Sequence, residues 1–158
     1  MKYVDTLIGF REVPNENSLC INISNCPNHC KGCHSPYLWE DTGIELNIKT
    51  LQQLIKDNSG ITCVCLMGGD AEIKEIQELT KWIKTNTSLK VCWYSGKKLQ
   101  DIEYKNFDYI KTGAYIESLG GLDSPTTNQR FYEIRKVEGK NYPYYILEDI
   151  TYEFRKKN

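Results

Sequence analysis

The spacing of hydrophobic side chains divides most of the chain into short strands and helices. Leu19, Ile21 and Ile23 occupy every second position, which is typical of a strand with one face toward a core. Two apolar runs further along, ITCVCLM and LKVCWY, predict buried strands. The predicted strands are residues 18–24, 61–67 and 89–94, with weaker patterns at 109–113 and in the segment YPYYILEDI.

Apolar residues three and four positions apart predict helices between these strands. Asn47 can cap the first helix, which should stop at Gly60. Asp70 can cap the second helix, whose apolar stripe runs to Ile83. A shorter helical segment is predicted near residues 98–105.

The alternation of strands and helices predicts the fold class. Such alternation favours parallel strands joined by crossovers, with ligands at the carboxyl ends of the strands. A complete eight-unit barrel takes about 250 residues, whereas this chain has 158. We therefore expect an α/β fold, a partial TIM-like β/α barrel with parallel strands, as a single domain over residues 1–158.

The charge balance and the lack of long apolar segments argue against nucleic acid and membranes as partners. The chain has 20 basic and 21 acidic side chains and a formal charge of -1, so it offers no broad attraction for nucleic acid or an anionic membrane. No segment approaches the roughly 20 apolar residues of a membrane-spanning helix, and the first thirteen residues do not resemble an export signal. A cytoplasmic protein with no nucleic-acid or membrane partner is expected.

Seven cysteines in such a chain favour metal binding over disulfides, because the cytosol keeps thiols reduced and an odd number cannot all pair. Cys26, Cys30 and Cys33 have the spacing C-x3-C-x2-C, so one loop can wrap a single inorganic cluster with three thiolates. If that cluster is 4Fe-4S, one iron lacks a protein ligand and is open to substrate. The three cysteines are the candidate metal ligands and catalytic residues.

Two other interpretations of these cysteines stay open. Three thiolates with His29 or His34 could complete a tetrahedral zinc site, although zinc motifs usually combine ligands from separate parts of a sequence. The stretch CKGCH also matches the C-x-x-C-H haem attachment pattern, but haem leaves the first cysteine unexplained. Both histidines are expected to cover the cluster without binding iron. Cysteines inside the predicted strands, Cys63, Cys65 and Cys92, are expected to be buried small hydrophobes.

The C-x3-C-x2-C loop after one strand and the Gly-Gly-acid turn after the next resemble the radical S-adenosylmethionine superfamily. Within it, CKGC, VCWYSGKKL and the segment DYIKTGAYIESLGGLDSPTTNQRFYEI are similar to the activating proteins of anaerobic ribonucleoside-triphosphate reductase. The resemblance covers about residues 1–134. Residues 13–18 lack the family's glycine-proline-glycine segment, and the tail, residues 136–158, is divergent.

The resemblance implies a radical S-adenosylmethionine oxidoreductase that uses a 4Fe-4S cluster and S-adenosylmethionine as cofactors. It would cleave S-adenosylmethionine reductively and create a glycyl radical on the glycyl-radical subunit of anaerobic (class III) ribonucleotide reductase. Its electron donor would be a protein such as flavodoxin or ferredoxin. The alternatives are an activase of another glycyl-radical enzyme, a small-molecule radical enzyme, and a zinc-stabilised binding module without catalysis.

The resemblance also supplies candidate cofactor-binding residues. Two glycines allow backbone to approach the methionyl group, and the acid after them can accept a bond from its ammonium. Residues at the end of the third strand can contact ribose or carboxylate, and Trp93 can line the same cleft. A polar residue in TTNQR matches the family's S-x-N-Q segment. These candidates are Gly68, Gly69, Asp70, Ser95, Gly96 and Asn128.

Overall fold

The computed structural model describes residues 1–156 of the chain. Within that range the chain forms eight strands, two α-helices and three short 3-10 turns. The regular elements are β1 (Lys2–Gly9), β2 (Ser18–Ile23), β3 (Ile44–Glu45), α1 (Ile48–Asp57), β4 (Cys63–Met67), α2 (Ile73–Asn86), β5 (Lys90–Tyr94), β6 (Tyr109–Thr112), β7 (Arg130–Val137) and β8 (Tyr144–Asp149).

All eight strands belong to one mixed sheet, in the order β3-β1-β2-β4-β5-β6-β7-β8. The four central strands, β2, β4, β5 and β6, are mutually parallel. Antiparallel pairs flank them, with β1 and β3 at one edge and β7 and β8 at the other. The parallel centre therefore presents four neighbouring carboxyl ends at one edge, where a ligand site is favoured.

The prediction of a partial TIM-like β/α barrel with parallel strands is wrong. Half of the strands are antiparallel to their neighbours, and only two helices act as crossovers. The segment predicted as a third helix forms the short turn Leu99–Asp101 instead. The first two parallel connections pass through α1 and α2, and the third, from β5 to β6, passes through this short turn. Antiparallel strands can be joined by short loops, as between β7 and β8.

Several local predictions are confirmed. The helix after Asn47 begins at Ile48 and ends at Asp57, and Asn47 Oδ1 accepts a hydrogen bond of 2.9 Å from the Thr50 amide. The weaker strand predictions correspond to β6 and β8. The predicted cap of the second helix is wrong, because Glu72 occupies the N-cap position of α2 and Asp70 lies before it.

Both faces of the central sheet are buried. One face packs against the two helices through an aliphatic core that includes Leu51, Leu66 and Ile76. The other face carries four cysteines, covered by Phe131 and by residues from the segments after β1 and β8. We expected one buried face for β2, but flanking segments on both sides exclude water from it.

The divergent tail takes part in the sheet. Residues 136–149 complete β7 and form β8, and the 3-10 turn Thr151–Arg155 follows. The last two residues of the predicted tail, 157 and 158, lie outside the described residues. Between residues 1 and 156, no helix is long and apolar enough to span a membrane.

Candidate metal centre and cofactor pocket

The floor of the candidate site is a row of four side chains at the carboxyl ends of the parallel strands. Strand pairing aligns Asn22 with Met67, Met67 with Tyr94, and Tyr94 with Lys111. Because alternate residues of a strand point to the same face, these four side chains share the face opposite the helices. All four line one cavity.

The cavity has a volume of about 190 Å³ and opens to solvent. Three loops surround it: the cysteine loop after β2, the turn after β4 and the turn after β5. A fourth wall comes from the segment between β6 and β7. The residues that line it are Asn22, Ile23, Cys26, Asn28, Cys30, Cys33, Ser35, Leu38, Trp39, Met67, Gly68, Asp70, Tyr94, Ser95, Gly96, Lys111, Ala114, Tyr115 and Gln129.

The cysteine loop brings all three predicted ligands to this cavity. Each thiol is partly exposed, as a ligand to an incoming cluster must be. The Cys26 amide donates a backbone hydrogen bond of 3.0 Å to the Leu38 carbonyl, and the Cys33 amide donates one of 3.1 Å to the Cys30 carbonyl. The first bond fixes the start of the loop to Leu38 and the second closes the turn from Cys30 to Cys33, and neither uses a sulfur atom.

A glycine makes the tight turn between the last two cysteines possible. Gly32 lies third in the four-residue turn Cys30 to Cys33 and has φ of +76°, a left-handed conformation that residues with a Cβ rarely adopt. The glycine of the CKGC motif is thus explained by the backbone.

Two hydrogen-bond donors approach the thiols. The Ser35 amide donates to Cys33 Sγ at 3.4 Å, and Asn28 Nδ2 lies 3.8 Å from Cys26 Sγ. Hydrogen bonds to ligand sulfurs are one of the ways in which a protein adjusts the potential of an iron-sulfur cluster. The loop therefore supplies ligands together with polar contacts around them.

Asp70 connects three of the walls. Its Oδ1 accepts a bond of 2.6 Å from the Ser95 hydroxyl, and its Oδ2 accepts bonds from the Gly96 amide at 2.7 Å and from Asn28 Nδ2 at 2.8 Å. Asp70 is buried, and three donors compensate the burial of its charge. A carboxylate has about four acceptor positions, so one remains for a ligand.

The two predicted glycines of the turn after β4 lie on opposite sides of the sheet. Gly68 lines the cavity and has φ of +112°, and a Cβ there would lie 2.9 Å from the Ile23 carbonyl oxygen. Gly69 is not on the cavity wall, since a Cβ there would lie 2.5 Å from Ile76 Cδ1, on the helix side. The close approach of β4 to β2 thus requires glycine at the first position.

Trp93 does not line the cleft. It is buried on the helix face, stacks on Phe107 with ring centroids 5.5 Å apart, and donates a bond of 2.7 Å from Nε1 to the Gly68 carbonyl. Its neighbour Tyr94 faces the cavity instead, because successive strand residues point to opposite faces. Trp93 therefore stabilises the turn after β4 from the helix face of the sheet.

Of the remaining predicted residues, two line the cavity and one does not. Ser95 and Gly96 line the cavity, and the Ser95 hydroxyl donates its hydrogen bond to Asp70. Asn128 is exposed, lies outside the cavity wall and donates a bond of 2.9 Å to the Ala114 carbonyl. The buried Gln129 lines the cavity beside it.

Lys111 lines the cavity, although the sequence pattern did not predict it as a site residue. Its Nζ donates to the Ser95 carbonyl at 3.2 Å and to the Gly113 carbonyl at 2.9 Å. Burial lowers the pKa of Lys111 to about 8, although the negative charges of Asp70 and the three loop cysteines act in the opposite direction. The only sequence signal was a lysine inside an otherwise apolar strand. Asn28, the other missed polar contact, sits between two cysteines of the motif.

Neither histidine lines the cavity. The His29 ring stacks on Trp39 with centroids 4.8 Å apart and an angle of 14°, and His34 packs at a tilt against Tyr115. Both rings are thus aromatic packing partners at the rim of the cysteine loop.

The other four cysteines form a separate layer beneath the pocket. Cys20, Cys65 and Cys92 are aligned across three neighbouring strands. Cys63 lies two residues before Cys65 in β4, on the same face, and all four cysteines are fully buried. Burial raises the pKa of the Cys63 thiol to about 12 and raises those of Cys65 and Cys92 as well. These thiols stay protonated at neutral pH and pack as small apolar groups.

The cysteine loop presents three thiols to one cavity. Across residues 1–156, no three His, Cys, Asp or Glu side chains are close enough to one another to hold one metal ion. A tetrahedral zinc site needs its ligands about 2.0–2.3 Å from one point, whereas a 4Fe-4S cluster takes one thiolate at each ligated iron. Three thiols around one cavity match the ligand number of a cluster in which one iron has no protein ligand.

Comparison with known families agrees with this donor set. The sequence profile of the 4Fe-4S single cluster domain matches residues 16–121, more than half of the chain. The matched segment includes all three loop cysteines and the turns after β4 and β5. No curated protein and no solved structure shows a significant match.

Proposed function

The chain belongs to the 4Fe-4S single cluster domain family, and we propose that it is a radical S-adenosylmethionine enzyme. The observation that carries this proposal is the convergence of the cysteine loop and the turns at Asp70 and Ser95 on one cavity. A purely electron-storing cluster would need no such cavity. An iron without a protein ligand, beside a pocket in which Asp70 and Ser95 supply polar groups, is the arrangement expected for a ligand that binds both.

Cys26, Cys30 and Cys33 would hold the cluster, and within residues 1–156 no fourth cysteine lines the cavity. When bound, the cluster would supply the electron that breaks the C5'–S bond of S-adenosylmethionine, which would release methionine and a 5'-deoxyadenosyl radical able to remove a hydrogen atom from the substrate.

Asp70 would orient the methionyl ammonium. Its carboxylate is fixed by Ser95, Gly96 and Asn28 and keeps one acceptor position for a ligand. A charge-assisted bond to an ammonium is stronger than one between neutral groups. Gly68 leaves backbone exposed in the same wall, which allows close approach of the ligand.

The substrate we propose is a glycine of anaerobic (class III) ribonucleotide reductase, in which the enzyme creates a glycyl radical. The similarity of CKGC, VCWYSGKKL and residues 108–134 to that activase family supports this choice. The cavity opens to solvent and is small, which suits a loop of a partner protein better than a metabolite that must be enclosed. Activation of another glycyl-radical enzyme is the second candidate.

Anaerobic reconstitution with iron and sulfide, followed by a dithionite-driven assay for 5'-deoxyadenosine, tests the proposed chemistry. We expect cleavage by the wild type and none by Cys30→Ala. Cys92→Ala is the matched control, because this thiol is buried and lies outside the cavity. A colourless protein with one zinc, or undiminished cleavage by Cys30→Ala, would show the proposal to be wrong.

The partner is tested separately by electron paramagnetic resonance. The reconstituted protein, S-adenosylmethionine and a reductant are mixed with the reductase, and a glycyl radical signal is expected. A signal only with another glycyl-radical enzyme would favour the second candidate and leave the cleavage chemistry in place.

A further inference from the structure

Lys111 occupies an unusual electrostatic position in the pocket. Among the cavity-lining residues in the described part of the chain, it is the only one with a cationic side chain. It forms no ion pair within 4 Å of a carboxylate in residues 1–156, and Asp70 is already bonded to three other donors. Lys111 is half-buried, and a cation partly removed from water without a counter-ion is unfavourable, so its position favours a negative group in the cavity.

The ammonium is held in place by backbone. Bonds to the Ser95 and Gly113 carbonyls use two of its three N–H donors, and the Tyr94 ring lies 6.0 Å away. Lys111 belongs to the same in-register row as Asn22, on the cavity face of the sheet. Its charge is thus fixed at the floor of the cavity that the three cysteine thiols also line.

We propose that Lys111 is the counter-charge of the cluster, stabilising its reduced form and thereby raising its reduction potential. This inference rests on the proposed cluster site and is independent of the proposed cleavage of S-adenosylmethionine. One-electron reduction by dithionite makes the cluster with its three thiolates one charge more negative. A fixed cation nearby favours that more negative state, and low local polarity strengthens the effect.

The surrounding charges are consistent with this role. The carboxylate of Asp70 and the loop thiols Cys26, Cys30 and Cys33 all act to raise the pKa of Lys111 against the lowering caused by burial. The negative charges that act on the ammonium are therefore the proposed cluster ligands and one carboxylate that three other groups already bond. A bound cluster would supply the negative charge that this lysine lacks.

The test is a redox titration of the reconstituted protein, followed by electron paramagnetic resonance without S-adenosylmethionine. Lys111→Met removes the charge at similar length, and Lys111→Arg retains it. We expect a lower midpoint potential in Lys111→Met than in the wild type, and a potential close to the wild type in Lys111→Arg. Iron and sulfide content establish that each protein carries a cluster.

The outcomes separate this inference from the proposed function. If the wild type takes up no cluster, the cluster site itself is wrong and the role of Lys111 is wrong with it. If both proteins carry clusters with equal potentials, or if Lys111→Arg shifts as far as Lys111→Met, only the counter-charge role is overturned. If Lys111→Met folds by circular dichroism but takes up no iron while Lys111→Arg does, the charge is required for holding the cluster, which supports the counter-charge role and overturns an effect limited to the potential.

Discussion

Asn28 Nδ2 donates a hydrogen bond of 2.8 Å to Asp70 Oδ2, which joins the cysteine loop to the turn after β4. The same amide lies 3.8 Å from Cys26 Sγ. One side chain between two cluster cysteines thus positions the acid proposed to bind the ligand. The position of the Asp70 carboxylate therefore depends on a residue of the cysteine loop.

Replacing Asn28 by alanine should weaken binding of S-adenosylmethionine. The Asn28 bond forms without ligand, so its loss acts only through the position of the Asp70 carboxylate, and a rise in Kd of about tenfold, equal to about 1.4 kcal/mol, is expected. Equilibrium dialysis with the reconstituted protein measures it. Asn86→Ala is the control, because Asn86 is exposed near the end of α2. Equal affinities of Asn28→Ala and wild type would contradict the prediction.

Gly32→Ala should lower iron uptake, because alanine resists the left-handed backbone of the Cys30 to Cys33 turn by about 1–2 kcal/mol. The chain offers a close control in Gly60, which has φ of +86° and no atom within 4 Å of an added Cβ. Both variants should lose similar stability in denaturant, but only Gly32→Ala should bind less iron. A normal iron content in Gly32→Ala would show that the turn does not need glycine.

Cys65→Ser should destabilise the fold without removing the cluster. The new hydroxyl would be buried among apolar groups, and the expected loss is about 1–3 kcal/mol in the free energy of unfolding. Cys33→Ser provides the opposite case, since this partly exposed residue should lose iron with little loss of stability. Urea denaturation and iron analysis separate the two. Loss of the cluster in a folded Cys65→Ser protein would point to a metal role for the buried layer.

Glu16 should make stability depend on acid pH. Burial raises its pKa, but hydrogen bonds from Lys90, Thr62 and Tyr109 outweigh burial, so the folded-state pKa lies below the ordinary 4.5. Its stabilising contribution is therefore complete above pH 4.5 and is lost as pH falls through the folded-state pKa.

Glu16→Gln should lower the free energy of unfolding at pH 7 by about 1.5–3 kcal/mol and flatten its decline in acid. Urea denaturation at several pH values measures both effects. Glu138→Gln is the control, because Glu138 is exposed. An unchanged acid profile in Glu16→Gln would mean that Glu16 is not the group responsible.

The sequence was sufficient to predict the elements that depend only on residues close together in the chain. The cap at Asn47 and the strand runs were predicted because caps and side-chain periodicity act over a few residues. The cysteine spacing predicted one shared site for the same reason. All three thiols do line one cavity.

The pairing of strands depended on contacts distant in sequence. The pattern could not reveal that β1, β7 and β8 join the sheet antiparallel to their neighbours, which made the barrel prediction wrong. Nor could it distinguish the faces of a strand buried on both sides, so Trp93 was expected where Tyr94 lies.

By itself, the sequence determined that three cysteines share a loop, that a Gly-Gly-acid turn follows the next strand, and where the helices lie. Only the tertiary structure decided that Asp70 faces the pocket and does not cap α2, that Gly69 faces the helix, and that Lys111 lies at the pocket floor. The physical reason is that spacing constrains residues within one element. The orientation of a side chain toward a site also depends on the strand register and packing that bring separate elements together.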